Sequence, residues 1–220
     1  MIEAVVFDLD GVLLDTEELW DEARQEVAEE RGRRWPPDAQ RAMMGMSSPE
    51  WSRYMHDVIG VPEPPDRISQ EVVERLTELY RRQLPLIDAA VEAVRRIAAR
   101  WPLAIASSSN RPLIDLFLEL TGTEELFCAT VSSEEVANGK PAPDVYLEAA
   151  ARLAVAPDRC AAIEDSENGI RSASSAGMRV VAIPNRVFPP GPEALGLADA
   201  VLESLGELTP DAVIGARRRD

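Results

Sequence analysis

Val5-Val6-Phe7-Asp8-Leu9-Asp10-Gly11-Val12-Leu13-Leu14-Asp15-Thr16-Glu17 begins as a short apolar run and ends in acids. The run Ala4–Phe7 has the length and composition of a buried strand. Asp8 and Asp10 follow at its carboxyl end, one residue apart, and Gly11 turns the chain. Two like charges held this close imply a cation or a chemical task beside them. The reading that follows is an oxygen-liganded metal and an aspartate placed to attack.

Further apolar runs of strand length occur at Leu103–Ala106, Cys128–Val131, Cys160–Ile163 and Val180–Ile183, with a weaker one at Ala200–Leu202. Helical spacing of apolar and charged residues lies between them, at Asp88–Ala99, Asp144–Leu153 and Asn168–Ala176. Gly177 is a stop signal for the last of these. Strands alternating with helices predict an α/β fold with a Rossmann-like parallel sheet. The interval after the first strand is too long for one crossover. From about Asp15 to Tyr80 it holds helical stretches, including a long charged one at Glu17–Arg31, and no convincing strand. Pro36, Pro37, Pro62, Pro64 and Pro65 punctuate it. The expected organisation is a catalytic core of residues 1–15 and 84–220, with an inserted helical domain, residues 16–83. The tail Ala216–Asp220 reads as a frayed end.

Composition narrows the function. The chain has 220 residues, is 45% hydrophobic and carries a formal charge of −16. An acidic chain is not expected to bind nucleic acid or an anionic membrane surface. No apolar run is long enough to span a bilayer. The first residues carry no basic leader pattern, so a cytoplasmic protein, monomeric or weakly oligomeric, is expected. Cys128 and Cys160 lie in or beside apolar runs and are expected to be buried free thiols. With a single histidine, His56, and no Cys/His spacing, neither a His-based triad nor a zinc site is expected, and His56 reads as a surface or packing residue. Among the 23 Lys and Arg residues only Lys140 is a lysine. Ammonium and guanidinium are not interchangeable, so this one has either a specific task or no meaning beyond bias.

In an open α/β sheet the ligand lies beyond the carboxyl ends of the strands. The first strand gives Asp8 and Asp10. The second gives Ser107-Ser108-Ser109-Asn110, suited to binding an anion or, equally, to capping a helix. Soon after the third come Gly139-Lys140-Pro141-Ala142-Pro143-Asp144. Lys140 there would neutralise a phosphate or stand as a loop lysine, and Asp144 would cap the next helix. The fourth gives Glu164-Asp165-Ser166, a second acidic pair, with Asp165 or Ser166 also able to cap. Carboxylates from two strand ends suit Mg²⁺, a hard ion that takes one or two carboxylates with substrate phosphate. Together these predict a phosphoryl-transfer site using an aspartyl-phosphate.

This order of motifs resembles the haloacid dehalogenase superfamily, in its phosphatase type. Asp8-Leu9-Asp10-Gly11-Val12 is similar to that family's first motif, Ser107 to its second, Lys140-Pro141 to its third and Glu164-Asp165 to its fourth. The inserted helices resemble the cap of the β-phosphoglucomutase-like branch. The resemblance implies that Asp8 attacks phosphorus and ligates Mg²⁺. It implies that Asp10 is the acid/base and binds Mg²⁺ through its carbonyl. Asp165 would ligate the metal, with Glu164 in direct contact or behind it. Ser107, Ser108 and Asn110 would hold the phosphoryl group, and Lys140 would balance charge. The substrate would be a small phosphate ester, such as a sugar phosphate. The chain departs from that branch in the cap: Trp20 stands where the mutase has His, Gly45-Met46-Ser47-Ser48 lacks the mutase's Arg, and no lysine lies in residues 16–83. A phosphomutase is the alternative. A non-catalytic binding protein on this fold would be expected to have lost Asp8, Asp10, Lys140 or Asp165, and all are present. Gly45 and Met46 are expected to contact substrate, with Glu17, Trp20 and Trp51 as further candidates. Ordinary helix packing is the competing reading for both tryptophans.

Overall fold

The computed structural model describes residues 1–44 and 46–215. Gly45, expected at the substrate, and the tail 216–220 lie outside them. Six strands, β1 (Ala4–Phe7), β2 (Leu103–Ser107), β3 (Phe127–Ser132), β4 (Cys160–Glu164), β5 (Arg179–Ala182) and β6 (Ala200–Val201), form one parallel sheet in the order β3-β2-β1-β4-β5-β6. Every strand run seen in the sequence is present. Central parallel strands are covered on both faces, so they are apolar at successive rather than alternate positions, up to the polar Ser107 and Glu164 that end β2 and β4.

The two faces are distinct. Val5 and Phe7 join Ile105, Ile163 and Val181 on one side, under helices α5 (Ala90–Ala98) and α6 (Arg111–Thr121). Ala4 and Val6 join Ala104, Ala106, Ala162 and Ala182 on the other, under α7 (Asp144–Leu153) and α8 (Glu167–Ser175). The small side chains of the second face let α7 and α8 approach the sheet closely. Short helices α9 (Pro192–Leu195) and α10 (Pro210–Gly215) complete the layers.

Strand β3 is an edge strand with β2 as its one neighbour. Its middle is therefore open, and Cys128 is exposed, contrary to the expected burial, whereas Cys160 on β4 is buried; both thiols are free. Helix ends also differ from the sequence reading. The first helix stops at Glu29, and α5 starts at Ala90 because Ala89 sits in the left-handed region at φ 64°. Asp144 does not cap α7; Pro143 holds that position, and Asp144 Oδ1 instead accepts from Asn138 N (3.2 Å) and Nδ2 (2.9 Å), tying down the loop that carries Lys140. Ser166, not Asp165, caps α8 by accepting from Gly169 N at 3.2 Å.

Between β1 and α5 lie helices α1 (Glu17–Glu29), α2 (Ala39–Met43), α3 (Ser48–Tyr54) and α4 (Pro65–Arg82). Ser47 and Glu50 form a capping box at α3. A wide turn, Met55–Ile59, follows α3, and within it His56 Nδ1 lies 2.9 Å from the Val61 carbonyl, a packing role. Helix α4 packs on α1, on α3 and on α6 of the core. The chain leaves and re-enters the core on paired segments: Asp15 N donates to Pro85 O (2.8 Å) and Ile87 N to Leu13 O (3.1 Å). Among the described residues no helix is long and apolar enough to cross a membrane.

Two local arrangements are testable. A Cβ built on Gly169 would lie 1.9 Å from Glu164 Oε1, a carboxylate that is fully buried. Gly169→Ala is therefore expected to lower stability by about 3 kcal/mol through overpacking; an unchanged denaturant midpoint would refute the locked position of Glu164. Glu135, just beyond β3, accepts from Arg111, from Ser132 N (3.1 Å) and from Arg152 (2.7 Å), joining α6 and α7 to the sheet edge. Burial pushes this carboxyl up, but the two arginines outweigh it and hold it down from 4.5 to about 2. Its stabilising effect is thus complete above about pH 4.5 and lost as pH falls toward 2. The stability difference between the unaltered protein and Glu135→Gln should shrink over that window; a constant difference would count against the pairing.

Candidate active site

Strand β1 pairs with both β2 and β4, so the strand order reverses at β1. The crevice beyond the carboxyl ends is where α/β sheets bind ligands. The register puts Phe7 opposite Ile163, and Asp8 N donates to Ile163 O at 3.0 Å, so the acids following β1 and ending β4 meet side by side. Lys140 reaches this point from the loop after β3. Its Nζ lies 2.9 Å from Asp8 Oδ1 and 2.7 Å from Glu164 Oε1. All of these groups are buried. Burial alone would push Lys140 down; Asp8 and Glu164 outweigh it and hold the ammonium above the ordinary lysine range.

The acids outnumber the cation. Glu164 is saturated: Oε1 also accepts from the Tyr146 hydroxyl (2.7 Å), and Oε2 accepts from Asp165 N (3.1 Å) and Ser166 Oγ (3.3 Å). Asp165 is not, since its Oδ1 is buried without a hydrogen-bond partner among the described residues. Burial pushes Asp8 and Asp165 up, Glu164 adds to both, and Lys140 opposes. Asp8, Glu164 and Asp165 offer oxygens that lie within 4.8 Å of one another. Gly11 makes room for this cluster. Its φ is +81°, and a Cβ there would lie 2.0 Å from Asp165 Oδ2, so only glycine fits.

Asp10 points away from the cluster, into a frame of donors. Thr16 Oγ1 (2.7 Å) and Trp20 Nε1 (3.3 Å) donate to Oδ1; Ser109 Oγ (2.6 Å) and Ser107 Oγ (3.3 Å) donate to Oδ2. This carboxylate is thus fixed beside Asp8 but separate from the acids of β4.

A cavity of about 650 Å³ opens onto Asp8, Asp10, Lys140 and Asp165. The expected phosphoryl-binding residues divide on it. Ser108 lines the cavity, and its Oγ is buried with no partner among the described residues. Ser107 lies behind the wall, fully buried, accepting from Ser109 N at 2.9 Å. Asn110 is not brought to the cavity, a correction to the sequence reading. Its Oδ1 accepts from Ser48 Oγ (2.7 Å) and its Nδ2 donates to Glu134 Oε1 (2.7 Å), which turns the amide toward the helical segment. Asn110 does occupy the cap position of α6, but without a side-chain capping bond.

The opposite wall comes from the helical segment. Glu17, Trp20, Met46 and Trp51, all singled out in the sequence, line it. Both tryptophans are also packed, with rings 5.8 Å apart at 68°. The packing and lining readings are therefore both fulfilled. Sequence reasoning missed Thr16, Ser109, Tyr146 and Arg24. Thr16 and Ser109 stood inside the quoted motif stretches. Tyr146 had no signal beyond an apolar position on α7. Arg24 did have one, because it occupies an apolar-face position of α1 alongside Trp20, Ala23, Val27 and Ala28.

Comparison with known proteins gives the chain its family. Residues 2–177 match the family model described as haloacid dehalogenase-like hydrolase. Hexitol phosphatase B of Escherichia coli (strain K12) is 33% identical over 220 residues, covering 97% of each chain. The structure of CbbY from Rhodobacter sphaeroides in complex with phosphate superposes with a TM-score of 0.86 at 30% identity, over 97% of this chain and 100% of that one. β-Phosphoglucomutase from Clostridium difficile shares the fold, with a TM-score of 0.84 at 24% identity over 98% of this chain and 97% of that one. The chain belongs to the haloacid dehalogenase-like hydrolases and, with these phosphatase relatives, is a phosphoric monoester hydrolase.

Proposed function

We propose that the protein is a Mg²⁺-dependent phosphatase of a small phosphorylated metabolite, resembling a sugar phosphate, and that it works through an aspartyl-phosphate on Asp8. The observation that carries this reading is the shared cavity, which joins a Lys140-paired Asp8, a donor-framed Asp10, an unpartnered Ser108 hydroxyl and an unpartnered Asp165 oxygen. The phosphatase names of the relatives point the same way.

The residues fit a divalent cation. Three buried carboxylates meet with one ammonium among them, and Asp165 Oδ1 lacks a partner. Asp8, Asp165 and the Asp10 carbonyl would hold the ion, with Glu164 behind them because its oxygens are occupied. When bound, the ion supplies positive charge that offsets the phosphoryl oxygens.

In this mechanism an Asp8 carboxylate oxygen forms a bond to phosphorus as the ester P–O bond breaks. Asp10 gives the leaving oxygen its proton. Asp10 then takes a proton from water, whose oxygen attacks the same phosphorus and displaces Asp8. Lys140 balances charge on Asp8, and Ser108 donates to a phosphoryl oxygen. Ser107, Ser109, Thr16 and Trp20 hold Asp10 in place. Residues 16–83 act as a cap whose inner wall meets the rest of the substrate. Asn110 ties that cap to the core through Ser48. The absence of lysine from residues 16–83 favours hydrolysis over the mutase alternative.

Two experiments test this reading. A panel of phosphate esters should release phosphate with Mg²⁺ and not with a chelator, and Asp8→Asn should lower kcat by about 10⁴-fold or more, as loss of a nucleophile does. Activity surviving in Asp8→Asn would overturn the assignment, and faster interconversion of hexose 1- and 6-phosphates than phosphate release would favour the mutase. Separately, Mg²⁺ should raise the thermal midpoint of the protein, because an ion that binds only the folded state stabilises it. Asp165→Ala should abolish that rise; a rise of equal size in the variant would remove Asp165 from the metal site.

A further inference from the structure

Arg24 is a cation at a core position. It is 6% exposed, on the buried face of α1. Its guanidinium carbon lies 4.6 Å from the Trp20 ring and 4.8 Å from the Trp51 ring. The two indoles fix it and contribute cation–π attraction. Among the described residues its one hydrogen bond runs from Nη1 to Gln40 Oε1 at 3.3 Å, and its buried Nε has no partner. No carboxylate among the described residues forms an ion pair with it. The nearby Glu17 carboxylate is bonded instead by Gln40 Nε2, at 2.8 Å. Burial pushes Arg24 down to about 10 in spite of Glu17, Asp21 and Asp10.

Buried charges are ordinarily paired, and an unpaired one is costly. This one lines the same cavity as Asp8, Asp10 and Lys140. Lys140 cannot be the group that reads a second charge, since Asp8 and Glu164 already flank it. Arg41 opens onto the cavity from α2, exposed and without an ion pair among the described residues. A guanidinium presents a planar fork of donors that matches a carboxylate or phosphate.

We propose that Arg24, assisted by Arg41, binds a second anionic group of the substrate, a carboxylate or a second phosphate at the end remote from the transferred phosphoryl group. The inference rests on the phosphatase reading and narrows its substrate class to phosphate esters that are anionic at both ends. It assigns the specificity of the cap wall to a residue on α1.

Two matched pairs of esters test it. Glycerol 3-phosphate and 3-phosphoglycerate differ in a hydroxymethyl against a carboxylate. Fructose 1-phosphate and fructose 1,6-bisphosphate differ in a hydroxyl against a phosphate. With Mg²⁺, kcat/KM should favour the doubly anionic member of at least one pair by about tenfold or more, the worth of a charge-assisted hydrogen bond. The favoured pair tells carboxylate from phosphate. Arg24→Gln should bring that ratio close to one, chiefly through KM, and Arg41→Gln should lower it in the same direction. The ratio is taken within one preparation, so partial misfolding of a variant cancels. A ratio at or below one for both pairs in the unaltered enzyme, or an unchanged ratio in Arg24→Gln, would overturn the proposal. If none of these four esters is hydrolysed, the phosphatase reading is decided by the wider panel of phosphate esters. Calorimetric binding of 3-phosphoglycerate and fructose 1,6-bisphosphate to the Asp8→Asn protein then decides the Arg24 role: binding weakened by adding Arg24→Gln supports it, and binding unaffected by it, or absent, refutes it.

Discussion

Everything in this molecule is arranged around one buried ammonium. Lys140 sits between Asp8 and Glu164, all three buried at the floor of the cavity. Removing two carboxylates from water is tolerable only with a cation and further donors at hand. Glu164 has them all: the lysine, the Tyr146 hydroxyl and the first donors of α8. Among the described residues the Asp8 side chain has the lysine alone, and Asp165 keeps an oxygen without a partner. The core thus satisfies the acid it uses as a strut and leaves under-satisfied those it presents to the cavity. That asymmetry separates a structural carboxylate from two available ones within a single cluster.

The sheet makes the asymmetry possible. Parallel pairing of β1 with β4 brings two strand ends level, and reversal of strand order at β1 opens the crevice above them. Alanines on one sheet face bring α7 close, so that Tyr146 can reach Glu164 from below. Gly11 and Gly169 supply the missing volume, each where a Cβ would overlap a carboxylate of the cluster. Packing, backbone conformation and charge therefore converge on the same few cubic ångströms, and a change in any one is felt by the others.

The core was legible in the sequence because its signals are local. A buried parallel strand is an apolar run, and an acid at its carboxyl end is visible one residue later. Asp8, Glu164 and Asp165 needed nothing more, whereas Lys140, eight residues past the end of β3, was open from its loop alone and gained meaning only with the other strand ends. Asn110 needed more. Its type fits an anion site, but the direction of its amide is set by Ser48 from α3 and Glu134 beyond β3, partners distant in the chain. Cys128 needed strand order, because an apolar residue on an edge strand is not covered. Arg24 lay between these cases. The helical period placed it on the buried stripe, and a charge there was itself the sign of a partner to be sought.

That last case shows how labour is divided along the chain. The core acids sit at strand ends, where backbone geometry fixes them within a residue or two, so their identities follow from short motifs. The wall opposite is built from helix faces, where side chains three and four apart share a surface. Its composition is free to vary so long as the stripe stays buried. Trp20 illustrates the link between the two, since its ring packs on Trp51 while its Nε1 donates to Asp10. A substitution on α1 that preserved packing would still alter the frame around Asp10 and the seat of Arg24. Chemistry and recognition are consequently not independent here. The helix that carries Arg24 also bonds Asp10 through Trp20, so a ligand engaging Arg24 would bear on the same tryptophan that donates to Asp10.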